Sequence, residues 1–211
     1  MRELKLSEVL RYMGQHGDDP QITQTAQRAI DTLNRIMVPR SCRICLPVET
    51  LDFLTGKDIR RHLHGCTEVY ILCATLGAAV DREIRRVERR SMLDALALDA
   101  AAGEGIEAVC DEAEDQIRAA EAARGRYVTG RFSPGYGDLP LTIQPQVLAL
   151  CDAARKIGLS VTENNILTPR KSVTAFLGVS DTPAEGRKKG CGTCTLAKTC
   201  EFRKKGTTCG A

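Results

Sequence analysis

Apolar residues recur along this chain with two periods, and the switches between them predict its elements. Ala26, Ile30, Leu33 and Met37 share one helical face, so Thr23 to Met37 reads as a helix, preceded by a shorter one over Ser7 to Met13. Cys42 to Val48 and Val69 to Cys73 are short β-prone runs, and Lys57 to His64 between them predicts a short helix closed by Gly65. The helical period returns from Ala78 to about Arg124, with Ile106, Val109, Cys110, Ala113 and Ile117 on one stripe, and Gly103 and Gly105 predict a break inside it. Beside that stripe Glu107, Asp111, Glu114 and Arg118 lie on a neighbouring face, which the pattern alone reads as solvated and acidic. Leu141 to Ile157 follows as a helix with Pro145 in its first turn and Gly158 at its end. Leu159 to Glu163 and Ser172 to Val179 then read as paired strands, with Asn164, Asn165 and Thr168-Pro-Arg-Lys as the turn chemistry between them.

Composition sharpens this order of elements into an α+β fold, helices packed on a mainly antiparallel or mixed sheet. The 211 residues suffice for one main core, and with 43% hydrophobic but only 4% aromatic residues and no Trp, that core must be built from Leu, Ile, Val and Ala. Residues 1–182 form the expected body, 183–190 a linker of Pro, Gly and basic residues, and 191–211 a Cys-rich tail with almost no apolar material of its own. The net charge of +3, without a basic stripe interleaved with aromatics, gives no sign of nucleic acid as a partner. No membrane partner is expected either, since Asp94 and Asp99 cut the richest apolar run, Met92 to Ala102. The amino-terminal segment lacks an apolar signal core, so the expected location is cytoplasmic. In that reducing compartment the ten cysteines point to metal binding or plain burial before disulfides.

Candidate chemistry concentrates in Arg131-Phe-Ser-Pro-Gly-Tyr-Gly-Asp-Leu-Pro140. Gly135 and Gly137 permit positive φ and close approach of a ligand to the backbone, while Pro134 and Pro140 stiffen the loop. Arg131 offers a planar fork of donors suited to a carboxylate or phosphate. On residue types alone a ligand clasp and a solvated surface turn remain equally open.

Taken in order, Glu107 on its helix, Arg131-Phe-Ser-Pro-Gly-Tyr, the helix after Pro140, and Leu159-Ser-Val-Thr-Glu leading to Leu167-Thr-Pro-Arg-Lys-Ser-Val-Thr-Ala resemble the activation domain of cobalamin-dependent methionine synthase. The resemblance spans roughly Thr75 to Asp181. It implies an activation-domain fold that binds S-adenosylmethionine and presents its methyl group to a corrinoid whose cobalt has become oxidised and inactive. By position, it implies that Glu107 holds the ligand's ammonium and Arg131 its carboxylate, with Ser133, Pro134, Gly135 and Tyr136 framing the rest; no residue is implied to be catalytic. The implied partner is a corrinoid-binding protein, or a methionine synthase lacking its own activation domain, which carries the cobalamin. An electron donor would complete the system, of which this chain would be at most one part. The chain departs from the family pattern in having no counterpart for an amino-terminal acidic ligand contact, in Leu141-Thr-Ile after Pro140, and in a cysteine tail where an aromatic segment is expected.

That tail carries Cys191, Cys194, Cys200 and Cys209, four sulfurs in a segment that cannot build a core. They suit an iron-sulfur cluster, which would supply the electron that reactivation requires, or alternatively zinc; a basic tail with unligated thiols stays open beside both. A competing function follows, an electron-transfer or docking protein whose tail does the work while the loop is a structural relic. Cys42 and Cys45, three apart in a strand, point to opposite faces. Cys66, Cys73, Cys110 and Cys151 read as buried small hydrophobes and not as ligands, and His62 and His64 as surface residues.

Overall fold

The structure, a computed structural model, describes residues 2–15, 17 and 19–183, so the proposed ligands Cys191, Cys194, Cys200 and Cys209 lie outside the described residues. In chain order the elements are α1 (Leu6–Tyr12), α2 (Pro20–Ile36), β1 (Arg40–Pro47), α3 (Lys57–His62), β2 (Glu68–Thr75), α4 (Ala78–Glu88), α5 (Met92–Ala122), β3 (Tyr127–Val128), α6 (Gln144–Cys151), α7 (Ala153–Ile157), β4 (Ser160–Val161), β5 (Leu167–Thr168) and β6 (Ser172–Ser180). Single 3-10 turns precede α3 at Val48–Thr50 and α6 at Leu141–Ile143.

Four strands form an antiparallel sheet in the order β1-β2-β6-β3. β2 reads Val-Tyr-Ile-Leu-Cys-Ala because it is covered on both faces, and its alternate residues serve two different cores. Ala74 packs with Leu33, Val80, Leu98 and Ile106 beneath the layer of α1, α2, α4 and α5. Val69, Ile71 and Cys73 pack on the opposite face with Ile59, Phe132, Val147, Leu148 and Phe176 beneath α3, α6 and α7. The expected α+β class is thus realised as a sheet between two helical layers. Among the described residues no helix is long and apolar enough to cross a membrane.

Three expectations from periodicity need correction. The long helical region does not break at Gly103 and Gly105; it breaks at residues 89–91, where Ser91 caps α5 by accepting from Asp94 N at 3.2 Å. Gly105 serves packing instead, since a Cβ there would lie 3.0 Å from Leu33 Cδ2 and 3.3 Å from Leu76 Cδ1. Leu141 to Ile157 is not one helix, because Asp152 takes a left-handed φ of 52° and separates α6 from α7. Nor do residues 159–163 pair with residues 172–179: the short β4 pairs with β5, whereas β6 joins the main sheet between β2 and β3. The alternating character of β6 was legible, but its partner was set by long-range burial, and Phe176 and Leu177 are fully buried.

Candidate functional site

The Arg131 loop hangs from β6 by backbone bonds. Thr129 N donates to Gly178 O at 2.9 Å, and Gly178 N returns a bond to the Thr129 hydroxyl at 2.9 Å. Three residues later Phe132 and Phe176 exchange both bonds, at 3.0 and 2.8 Å, and both side chains are buried. Burying each ring contributes about 2–3 kcal/mol, which fixes the entry to the loop immediately beside Arg131.

Beyond Phe132 the chain turns tightly. Tyr136 N donates to Ser133 O at 3.0 Å and Gly135 N to Leu139 O at 2.8 Å, with Gly135 and Gly137 at φ of 92° and 53°. Asp138 clamps the turn to α3 by accepting from Lys57 N at 2.6 Å and Asp58 N at 3.0 Å, and those bonds hold its carboxyl below the ordinary range. The structure also moves His62 from the surface to a half-buried position. Its Nε2 donates to Gly130 O at 2.8 Å, and its ring lies 5.1 Å from that of Phe132. The sequence reading missed this because nothing local to α3 reveals a partner nearly seventy residues away. His64 is exposed, as expected.

Arg131 meets the acidic face of α5, which is therefore not simply solvated. Its Nη1 lies 2.8 Å from Asp111 Oδ1 and 3.0 Å from Glu114 Oε2, and its Nη2 lies 2.9 Å from Glu107 Oε2. Burial opposes the positive charge, but Asp111, Glu107 and Glu114 outweigh that and raise the pKa of Arg131. Glu114 is itself buried, and Arg118 completes it with bonds at 2.7 and 2.9 Å while also donating to the carbonyls of Val128 and Thr129. One face of α5 thus sets the path of residues 128–131.

These residues wall a cavity of about 620 Å³, within the range of small-molecule sites. Glu107, Arg131, Ser133, Pro134 and Tyr136 line it, as expected from the sequence. Gly135 is not among the lining residues; it shapes the turn, and Leu141 Cδ2 lies 3.3 Å from where its Cβ would stand. The opposite wall was not assigned from sequence and comprises Leu141, Gln144, residues 165–167, Arg170 and Ser172, Val173 and Thr174 of β6. The Leu167-Thr-Pro-Arg-Lys-Ser-Val-Thr run already singled out was the available signal for it. Gln144, buried, accepts from the Thr174 hydroxyl at 2.9 Å. Arg170, anchored through its backbone N to Asp81 at 2.7 Å, makes no side-chain ion pair among the described residues, whereas Arg131 has three acidic neighbours. Tyr136, Leu141 and Ile166, all substantially exposed, give the mouth an apolar rim.

The cysteines of the body lie outside this lining. Cys73, Cys110 and Cys151 are buried and Cys66 is half-buried, much as the apolar context suggested. Sequence reasoning did not foresee that Cys42, Cys73 and Cys151 converge, their sulfurs all within 4.8 Å of one another. Cys110 stands apart in the α5 core, where burial pushes its thiol up to about 12.

The family model for the activation domain of vitamin B12 dependent methionine synthase matches residues 88–187, a span that contains every residue lining the cavity. The resemblance seen in the sequence is borne out by this match. Among solved structures, one described as the MetH reactivation domain bound to AdoHcy is similar at a TM-score of 0.57 and 17% identity, covering 82% of this chain and 74% of that one. At that identity the likeness establishes the fold. No curated protein matches the sequence.

Proposed function

We propose, from the premise that residues 88–187 are an activation domain of the vitamin B12 dependent methionine synthase family, that this chain binds S-adenosylmethionine in the cavity beside Arg131 and serves the reactivation of a corrinoid carried by another protein. The observation carrying this reading is the pairing of Glu107 with Arg131 at 2.9 Å on the cavity wall. A zwitterionic amino acid brings an ammonium and a carboxylate, and it can replace one internal ion pair with two complementary ones. Asp111 and Glu114 grip Nη1 of Arg131, so the guanidinium keeps its place when Nη2 exchanges Glu107 for a ligand carboxylate. Glu107, 45% exposed at its side chain, is then turned to the ammonium. Ser133, Pro134 and Tyr136 would flank the remainder of the ligand, and Gly135 would hold their turn. Arg170 offers a second cation across the cavity.

The bound ligand would supply a methyl group, and a reductant from outside the chain would supply the electron. The residues of this chain bind and orient: none lining the cavity is required to transfer a proton. The apolar rim of Tyr136, Leu141 and Ile166 leaves the mouth suited to a partner's corrinoid, which would close it against water.

Calorimetry of the full chain with S-adenosylmethionine tests the reading. Saturable binding that weakens by about tenfold or more in Glu107→Gln is expected, from the loss of a charge-assisted bond. Absence of binding both to the pure chain and to the chain mixed with a cobalamin-loaded corrinoid protein refutes it.

A further inference from the structure

We infer that Cys42, Cys73 and Cys151 form a three-sulfur site for a soft d10 cation, Zn2+ or Cu+, on the face of the sheet covered by α3, α6 and α7. Three separate elements deliver the sulfurs. Cys42 of β1 and Cys73 of β2 stand directly opposite each other in the antiparallel register, and they share their face with Ile44 and Ile71, two residues along each strand. Cys151 ends α6, held over β2 with its Sγ 3.5 Å from Ile71 O. The left-handed Asp152 turns the chain away immediately afterwards.

The distances suit a metal. Thiolates bound tetrahedrally at about 2.3 Å stand roughly 3.8 Å apart, so sulfurs already within 4.8 Å need to close by about 1 Å at most. The donor set selects the class of ion, since sulfur ligands in an apolar layer favour soft cations over magnesium or calcium. Cys73 and Cys151 are buried, whereas Cys42 is half-exposed at the edge strand, so the fourth position of a tetrahedral ion would open toward solvent there. Among the described residues this is the one group of three Cys, His, Asp or Glu side chains drawn so close together.

Binding replaces three S–H bonds with three metal–sulfur bonds and releases three protons to water, with no change in oxidation state. A dication then carries one net negative charge with its three thiolates. Lys156 on α7 is a cation whose field reaches both Cys42 and Cys151 and offsets part of that charge, against Asp152, whose field at Cys42 has the opposite sign. The site adjoins the ligand cavity without belonging to it: Thr174, which lines the cavity, is the β6 residue in register with Cys73.

The test uses the full chain with Cys191, Cys194, Cys200 and Cys209 changed to Ser, so that tail sulfurs do not contribute. Under reductant, Zn2+ and Cu+ are each titrated against a chromophoric chelator, and Co2+ is added to read sulfur-to-metal charge transfer. One equivalent of Zn2+ or Cu+ is expected, with sulfur charge-transfer bands in the cobalt form. Cys42→Ser, at the half-exposed position, should weaken binding by about a hundredfold or more, beyond the usual effect of losing an outer-shell partner, with circular dichroism unchanged. Cys151→Ser should do the same, and Cys45→Ser, on the opposite face of β1, should leave affinity intact. A chain that binds neither ion, or in which Cys45→Ser weakens binding as much as Cys42→Ser, overturns the inference. Neither outcome depends on S-adenosylmethionine binding, so this site and the proposed function fail separately.

Discussion

Replacing Arg131 with Ala removes the partner of three carboxylates at once, and the structure divides the cost among them. Glu107 and Asp111 are 45% and 37% exposed at their side chains, so their ion pairs contribute only about 0–1 kcal/mol each. Glu114 is 9% exposed, and although Arg118 remains bound to it, leaving one oxygen without its partner costs about 1–3 kcal/mol. The expected loss is therefore about 3 kcal/mol, with most of it at Glu114. For a chain of this size that lowers Tm by about 6–12 °C. Arg131→Lys keeps the charge but not the fork, and it should recover roughly half of the loss. Thermal unfolding followed by circular dichroism measures both variants. A Tm drop below about 2 °C in Arg131→Ala, or Lys restoring nothing, refutes the picture of a guanidinium shared by three carboxylates on α5.

Glu121 is fully buried; burial pushes its carboxyl up, but the Tyr70 hydroxyl at 2.6 Å and the Arg126 guanidinium outweigh this and hold it below the ordinary range. A carboxyl depressed in the fold contributes stability above its unfolded value and loses it as pH falls toward the folded one. Stability of the parent chain should therefore decline on acidification below about pH 4.5, the carboxyl's reference value. Glu121→Gln should be less stable at neutral pH by about 2–4 kcal/mol and show a flatter acid limb in urea midpoints across that window. Arg170→Ala should weaken S-adenosylmethionine about five- to tenfold in calorimetry, as loss of one exposed charge-assisted contact, with Tm essentially unchanged. A large fall in Tm would make Arg170 structural instead.

Much of this fold was legible because α1, α2, β1, α3 and β2 each declare themselves by local period. Asp19, which caps α2 through Gln21 N and Ile22 N at 2.8 and 3.2 Å, shows how far local rules reach. They failed where distant packing decides. Gly105 looked like a helix breaker because propensity says nothing of Leu33 and Leu76, which need its missing side chain. β6 was assigned to the wrong partner because pairing depends on which faces are buried. In the site, the near wall followed from a charged and glycine-rich loop, whereas on the far wall only the run from Leu167 to Thr174 carried a signal and Gln144 had no local signature. The convergence of Cys42, Cys73 and Cys151 needs the strand register and the end of α6 together, and no spacing in the chain encodes it.

β6 has a practical consequence as one of the two interior strands. It begins at Ser172 in the cavity wall and delivers the chain at Ser180, eight residues on, which at about 3.3 Å per residue is roughly 26 Å away. A fluorophore or immobilisation tag attached after that exit therefore starts well clear of the ligand mouth. Optical readouts placed there would report on the body without obstructing the cavity or its rim at Tyr136, Leu141 and Ile166.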